Sequence, residues 1–205
     1  MNPKTTTTHL QHLSKDKKLA GVLQTVVPYE LQKRKNVCLR LCMSIMSQQL
    51  STKVADVFQQ RFLMLFGDQE PTPEQIAATS FETLRGIGLS GAKANYVLNV
   101  ANYFIDHSIS DNTLYAMTDT EVMHLLLPIK GVGKWTVEML LMFTLGHEDV
   151  FPADDLGIQQ AMAKVYGLDM TEKKVLREKM LKISVKWTPY RTYACFYLWR
   201  FKDGN

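Results

Sequence analysis

The sequence predicts an all-α protein. Apolar residues recur at three- and four-residue steps along most of the chain, no segment keeps the two-residue alternation of a half-buried strand, and two helix-start signatures are complete in side-chain type. Helices follow near 18–26, 35–48, 52–65, 74–79, 92–106, 119–126, 134–145, 156–165, 172–184 and 189–200. The second is strongly apolar: Leu39, Leu41, Cys42, Ile45, Met46 and Leu50 make one buried stripe. Thr72-Pro73-Glu74-Gln75 opens the fourth, with a capping threonine, a proline at the first helical position and a glutamine able to close the box. Thr118-Asp119-Thr120-Glu121 opens the sixth, ahead of Val122, Leu125 and Leu126. Residues 1–14 and 202–205 are expected to fray.

Composition removes several classes. With 205 residues, 46% apolar and 21% charged, the chain suits one domain or one two-lobed domain. No apolar run reaches the ~18 residues of a membrane span, and the polar start has no signal-peptide core, so secretion is not expected. Cys38, Cys42 and Cys195 are too few for a disulfide framework, and no Cys-x-x-Cys offers a zinc or iron–sulfur site. A reducing compartment fits. The five histidines have no ligand spacing and are expected at the surface or at caps. Net charge is +4 but unevenly spread: +6 over 1–40, −8 over 41–170 and +6 over 171–205. A charge run is usually a solvated helix face, though basic ends can also meet a polyanion.

One turn is chemically suggestive. Gly131-Val132-Gly133 joins two helices, and such a turn leaves the first N–H groups of the second helix pointing outward, where a phosphate binds well. Val132 can point inward and pin the turn, and Lys134 can add a charge. A lone Gly-x-Gly is more often a plain connection. A weak repeat occurs upstream, Leu84-Arg85-Gly86-Ile87-Gly88-Leu89, again reading as helix, glycine turn, helix.

The context downstream is more specific. Ile129 to Gly157, including Asp149-Val150-Phe151-Pro152-Ala153-Asp154-Asp155-Leu156-Gly157, resembles the helix-hairpin-helix DNA glycosylases, in particular their alkylbase or 3-methyladenine type II branch. Ile45-Met46-Ser47-Gln48-Gln49-Leu50-Ser51, Leu84 to Ala94, and Trp187-Thr188-Pro189-Tyr190-Arg191-Thr192-Tyr193-Ala194 resemble further motifs of that branch in the same order. The resemblance implies a compact two-lobed helical fold without an extra N-terminal α/β domain. Its active-site cleft would lie between a central lobe, 41–150, which holds the helix-hairpin-helix at 119–145, and a lobe made of 1–40 and 151–205. In that arrangement the two basic ends share a lobe and supply part of the charge that tracks phosphates.

The resemblance also assigns chemistry. The nucleotide must leave the duplex, at a cost of a few kcal/mol, before its base can be cut. Bond cleavage builds positive charge on the sugar, which a carboxylate stabilises while it orients water. Asp155, directly before Leu156-Gly157, is the implied catalytic carboxylate, and Asp154 is left as cap or support. The position of the Schiff-base lysine in lyase members is Trp135 here, so hydrolysis without strand cleavage is expected. Trp135 and Trp187, with Met139, are the implied base pocket, where an aromatic face favours a cationic alkylated purine by ~0.5–2 kcal/mol. Gly131, Val132, Gly133, Lys134 and Thr136 are the implied DNA-binding hairpin. Gln49 is the implied wedge into the gap of the flipped base, with Leu50 the apolar alternative.

The expected partner is damaged double-stranded DNA, met by a monomer. No cofactor or metal is required, although the hairpin carbonyls could hold a monovalent cation. The function so implied is removal of alkylated purines of the 3-methyladenine and 7-methylguanine type in base excision repair. Two alternatives stay open: a glycosylase for a deaminated or oxidised base, and a non-catalytic helix-hairpin-helix DNA-binding module.

Overall fold

The computed structural model describes residues 3–27 and 30–204, and all regular structure among them is helical. Contacts divide the chain into two compact units, 1–32 with 146–205, and 33–145.

The second unit holds α1 (Val37–Ser47), α2 (Thr52–Met64), α3 (Pro73–Ala77), α4 (Phe81–Gly86), α5 (Gly91–Asp106), α6 (Asp111–Ala116), α7 (Asp119–Leu126) and α8 (Lys134–Leu140), the last continued by a π-turn, Leu141–Leu145. α1 is its central post: Val37, Cys38 and Met43 are buried along with Leu39, Leu41, Cys42, Ile45 and Met46, so the helix is apolar nearly all round and packs on α2, α5 and α8. Leu50, expected in the same stripe, is only half-buried beyond the helix end. Both capping boxes form as read, at Thr72–Gln75 and Thr118–Glu121.

The first unit holds α9 (Pro3–Leu13), α10 (Lys17–Leu23), α11 (Leu156–Tyr166), α12 (Lys173–Ser184), a 3-10 turn (Val185–Trp187) and α13 (Arg191–Asp203). α10 and α13 both pack on α11. Its core gathers Leu13, Leu19, Ile158, Met162, Leu176, Met180 and Trp187, with Asp16 half-buried beside Trp187. Asp16 caps α10 by accepting from Lys18 N and Leu19 N, and also accepts from Tyr166 Oη at 2.9 Å and Trp187 Nε1 at 3.3 Å.

Several expectations are corrected. Residues 3–13 are helical rather than frayed, and α13 runs on to Asp203. His9, expected at the surface, is buried; it stacks on Tyr193 with ring centroids 4.0 Å apart and meets Tyr197 Oη at 3.1 Å. α6 was not foreseen, and α4 was marked only by the glycine turn that follows it, because each is six residues long and buries a single leucine, Leu114 or Leu84, which gives no periodicity.

The unit boundaries fall at 32/33 and 145/146, against 40/41 and 150/151 in the sequence reading. The linkers explain the offset. Arg34 N donates to Thr144 O, Tyr115 Oη donates to Arg34 O, and Asp111 accepts from Asn36 N and Val37 N, which ties 34–37 to the second unit. His147 to Val150 bind instead to the start of α13 in the first unit.

Candidate active site

The loop from Gly146 to Asp155 is locked to α13 before it delivers its last residue. Asp149 takes both Arg191 Nε (2.7 Å) and Nη2 (2.8 Å), a two-pronged charged pair. Thr192 Oγ1 donates to His147 O and accepts from Val150 N, while Thr192 N donates to Glu148 O. Phe151, Pro152 and Ala153 are buried. The chain then turns, Asp155 N to Pro152 O, and Asp155 becomes the N-cap of α11.

The Asp155 carboxylate is held at Oδ1. Oδ1 accepts from Ile158 N at 2.8 Å and from Trp199 Nε1 at 2.9 Å. Pinning Oδ1 fixes the direction of the second oxygen. Gly157 makes room for this: a Cβ there would lie 2.9 Å from the Trp199 ring and 3.1 Å from Asp155 Oδ1. The carboxylate is half-exposed, so it can meet a ligand while its backbone is fixed. The neighbouring Asp154 is exposed and pairs with Arg177 Nε at 3.0 Å. The capping role therefore falls on Asp155 itself, not on Asp154.

In the second unit the two glycine turns are copies of each other in a register that the sequence reading misplaced by two residues. Gly88 and Gly131 share positive φ, 105° and 104°. Leu89 and Val132 follow, both buried, then Ser90 and Gly133 as N-caps of α5 and α8. The glycines are required where they sit: a Cβ on Gly88 would lie 2.7 Å from Phe58, and one on Gly131 2.2 Å from Tyr96. The copies differ in one respect. Ser90 caps α5 by accepting from Lys93 N, whereas Gly133 brings no side chain to the start of α8. The first hairpin closes its helix start with a side chain; the second does not. Lys134 Nζ lies beside it, 3.1 Å from the buried carboxylate of Glu138.

Thr136, expected to touch DNA, is 2% exposed and accepts from Gln48 Nε2 at 3.1 Å. It joins α8 to the turn after α1 instead. That turn carries Gln49, exposed at its tip with φ 59°. A non-glycine residue there stores roughly 1 kcal/mol or more of backbone strain, which persists only when neighbours over-determine it.

Residues 42–186 match the HhH-GPD superfamily of base excision DNA repair proteins. The chain belongs to that superfamily. A fission-yeast relative (Schizosaccharomyces pombe), DNA-3-methyladenine glycosylase 1, is 34% identical over 94% of this chain and 84% of its own length. Bacillus subtilis YfjP is 36% identical over 80% of this chain, which spans only 57% of that protein. A solved structure of the S. pombe 3-methyladenine DNA glycosylase Mag1, in complex with abasic DNA, superposes with a TM-score of 0.83 at 32% identity, covering 96% of this chain and 97% of that one.

Within this HhH-GPD chain the implied aromatic residues separate. Trp135 is 40% exposed on α8, with Met139 one turn on. Met139 is 9% exposed and lines a cavity of about 270 Å³ together with Arg34, Arg40, Met43, Ser44 and Phe143. Trp187 is 0% exposed: its ring packs edge-on to Phe151 at 5.8 Å and its indole N–H goes to Asp16. It is core, not pocket, because a wholly covered ring offers no face to a base. The tryptophan at the carboxylate is Trp199. No signal in the sequence singles it out: Trp199 stands seven residues after Thr192, two helical turns along the same face of α13, but the tie of Thr192 to the loop is a tertiary contact.

Proposed function

We propose that this HhH-GPD protein is a monofunctional DNA glycosylase that removes alkylated purines, of the 3-methyladenine and 7-methylguanine type, from duplex DNA. The observation that carries the reading is the Asp155 carboxylate, held at Oδ1 by Ile158 N and Trp199 Nε1 on a loop locked to α13. The glycosylase names of the relatives support the same chemistry.

The roles follow from charge. The N-glycosidic bond lengthens and the sugar becomes cationic; the fixed carboxylate stabilises that cation and orients the attacking water. An N3- or N7-alkylated purine already carries positive charge, so it leaves without a strong general acid, and the exposed indole of Trp135 gives it an aromatic face. No lysine stands at the Schiff-base position, so the abasic strand is left intact. The hairpin from Gly131 to Lys134 takes a phosphate, and Gln49 fills the gap in the stack.

The enzyme acts as a monomer on double-stranded DNA. A monovalent cation at the hairpin would share carbonyls already in use, since Ile129 O accepts from Val132 N and Lys130 O from Asn99 Nδ2. No described helix is long and apolar enough to cross a membrane.

Base release from methylated DNA, analysed by chromatography, tests the reading, with Asp155→Asn beside the wild type. Asparagine caps a helix as well as aspartate does, so this change removes the charge and keeps the fold. Expected is loss of release by roughly 10²-fold or more, with DNA binding retained. Full activity of Asp155→Asn removes the carboxylate from its role, and absence of release by the wild type removes the alkylpurine assignment.

A further inference from the structure

The turn that presents Gln49 raises a question of conformation. Gln48 has φ −53° and ψ 132°, Gln49 has φ 59°, and Leu50 N donates to Ser47 O at 3.2 Å. This is the geometry of a type II turn, whose third residue is normally glycine. A type I turn across the same four residues would place Gln49 at negative φ, without strain. The two differ by a flip of one peptide plane, the one that carries the Gln48 carbonyl.

That carbonyl is where Lys93 binds. Its Nζ lies 2.7 Å from Gln48 O and 2.8 Å from Met46 O. Two neighbouring carbonyls are served by the backbone: Ile45 O accepts from Gln48 N and Ser47 O from Leu50 N. Lys93 serves two more, Met46 O and Gln48 O. It stands on the third residue of α5, a helix whose start Ser90 has closed, so its base is rigid. Its stem is half-buried, and desolvation pulls its pKa below the ordinary lysine value. Gln48 Nε2 to Thr136 and Gln59 Nε2 to Ser47 Oγ brace the turn's side chains but touch neither carbonyl.

We propose that Lys93 is a positioning residue for the wedge: by holding the Gln48 carbonyl it locks the Ser47–Leu50 turn in its type II form and keeps Gln49 aimed at the gap left by the flipped nucleotide. The inference rests on the glycosylase reading above. A type I turn would turn Gln49 away and leave the lesion to restack.

The test uses the full chain and a duplex with 2-aminopurine beside the lesion, read by fluorescence on binding, together with single-turnover base release. Lys93→Met keeps the stem and removes the donors. It is expected to lower both the flipping signal and the release rate, the latter by about tenfold or more, with DNA affinity little changed. Lys93→Arg, which keeps the charge and several donors, restores most of both. In a Gln49→Gly background, Lys93→Met has no further effect, because the wedge side chain is already gone. Equal losses in both backgrounds would assign Lys93 to general folding and overturn the proposal, as would a Lys93→Met enzyme equal to the wild type. If Lys93→Met melts below the assay temperature, Lys93→Gln is read in the same way. If the wild type releases no base, the functional reading fails by itself, and the flipping comparison still decides the role of Lys93.

Discussion

Replacing Trp199 by phenylalanine takes one hydrogen bond from the Asp155 carboxylate and keeps most of the ring's volume. The indole Nε1 lies 2.9 Å from Oδ1. Hydrogen bonds to charged groups contribute about 1.5–3 kcal/mol. Asp155 is half-exposed and keeps its bond from Ile158 N, so solvent screening brings that range down to about 1–2 kcal/mol. At about 1.4 kcal/mol per decade, the single-turnover release rate should fall roughly 5- to 30-fold.

Two effects oppose each other in this variant. The indole N–H draws charge from the carboxylate, so its removal strengthens the attraction to a cationic sugar. It also frees the carboxylate to rotate. Orientation should dominate, because a carboxylate helps only when it lies under the sugar as charge develops. The loss should therefore appear in kcat, with KM for methylated duplex little changed. A Trp199→Phe enzyme as fast as the wild type, or faster, would refute the argument that Trp199 positions Asp155.

Two further outcomes follow from the same geometry. Gly131→Ala drives a Cβ to 2.2 Å from the Tyr96 ring at φ 104°, so it should cost about 2–4 kcal/mol in stability; a wild-type melting curve would refute the close approach. Asp16 supplies an acid-dependent term. Burial pushes its pKa up, but hydrogen bonds from Tyr166, Leu19 N, Trp187 and Lys18 N outweigh burial and hold it below the ordinary 3.8. A depressed carboxylate stabilises the fold above its unfolded pKa and loses that contribution as pH falls through the folded one. Asp16→Asn should thus be less stable at neutral pH and lose less than the wild type below about pH 4, measured by denaturant titration at several pH values.

The elements legible in the sequence are those with a repeating burial pattern or a named cap. α1 shows its stripe from Leu39 to Met46, and both capping boxes are spelled out in full. α6 escaped and α4 showed only through the glycine turn after it: each buries one leucine, and their caps, Ser110 and Ser80, are residues equally at home in a turn. The π-turn Leu141–Leu145 left no mark, since its apolar sequence continues the pattern of α8. At the site, Asp155 was legible through its loop and the glycine that follows. Trp187 and Trp199 could not be told apart by residue type: both indoles end on an aspartate, one inside the core and one at its edge. Only tertiary contact separates them.

The charge pattern changes meaning once the units are known. Cutting the chain at 40 and 170 gave basic ends around an acidic middle. Lys33, Arg34, Lys35 and Arg40, however, belong with the hairpin unit, and Asp149, Asp154, Asp155 and Asp169 with the other. By unit the counts are 14 Lys/Arg against 10 Asp/Glu for 1–32 with 146–205, and 10 against 10 for 33–145. The hairpin unit is neutral, so in the proposed function a phosphate there is met by the α8 start and a few lysines rather than by a net field. The other unit keeps a modest surplus, much of it on α12, where Lys173, Lys174, Lys179 and Lys182 are all exposed. If these track the DNA backbone, each neutralised phosphate contributes about 0.9 to the slope of log affinity against log salt. Changing all four to glutamine should then flatten that slope by roughly 2–4 and weaken damaged and undamaged duplex alike. The single-turnover rate on saturating substrate should not move, because none of the four lies at Asp155. An unchanged slope would leave α12 as a solvated face, and the phosphate contacts would have to be sought on the hairpin unit instead.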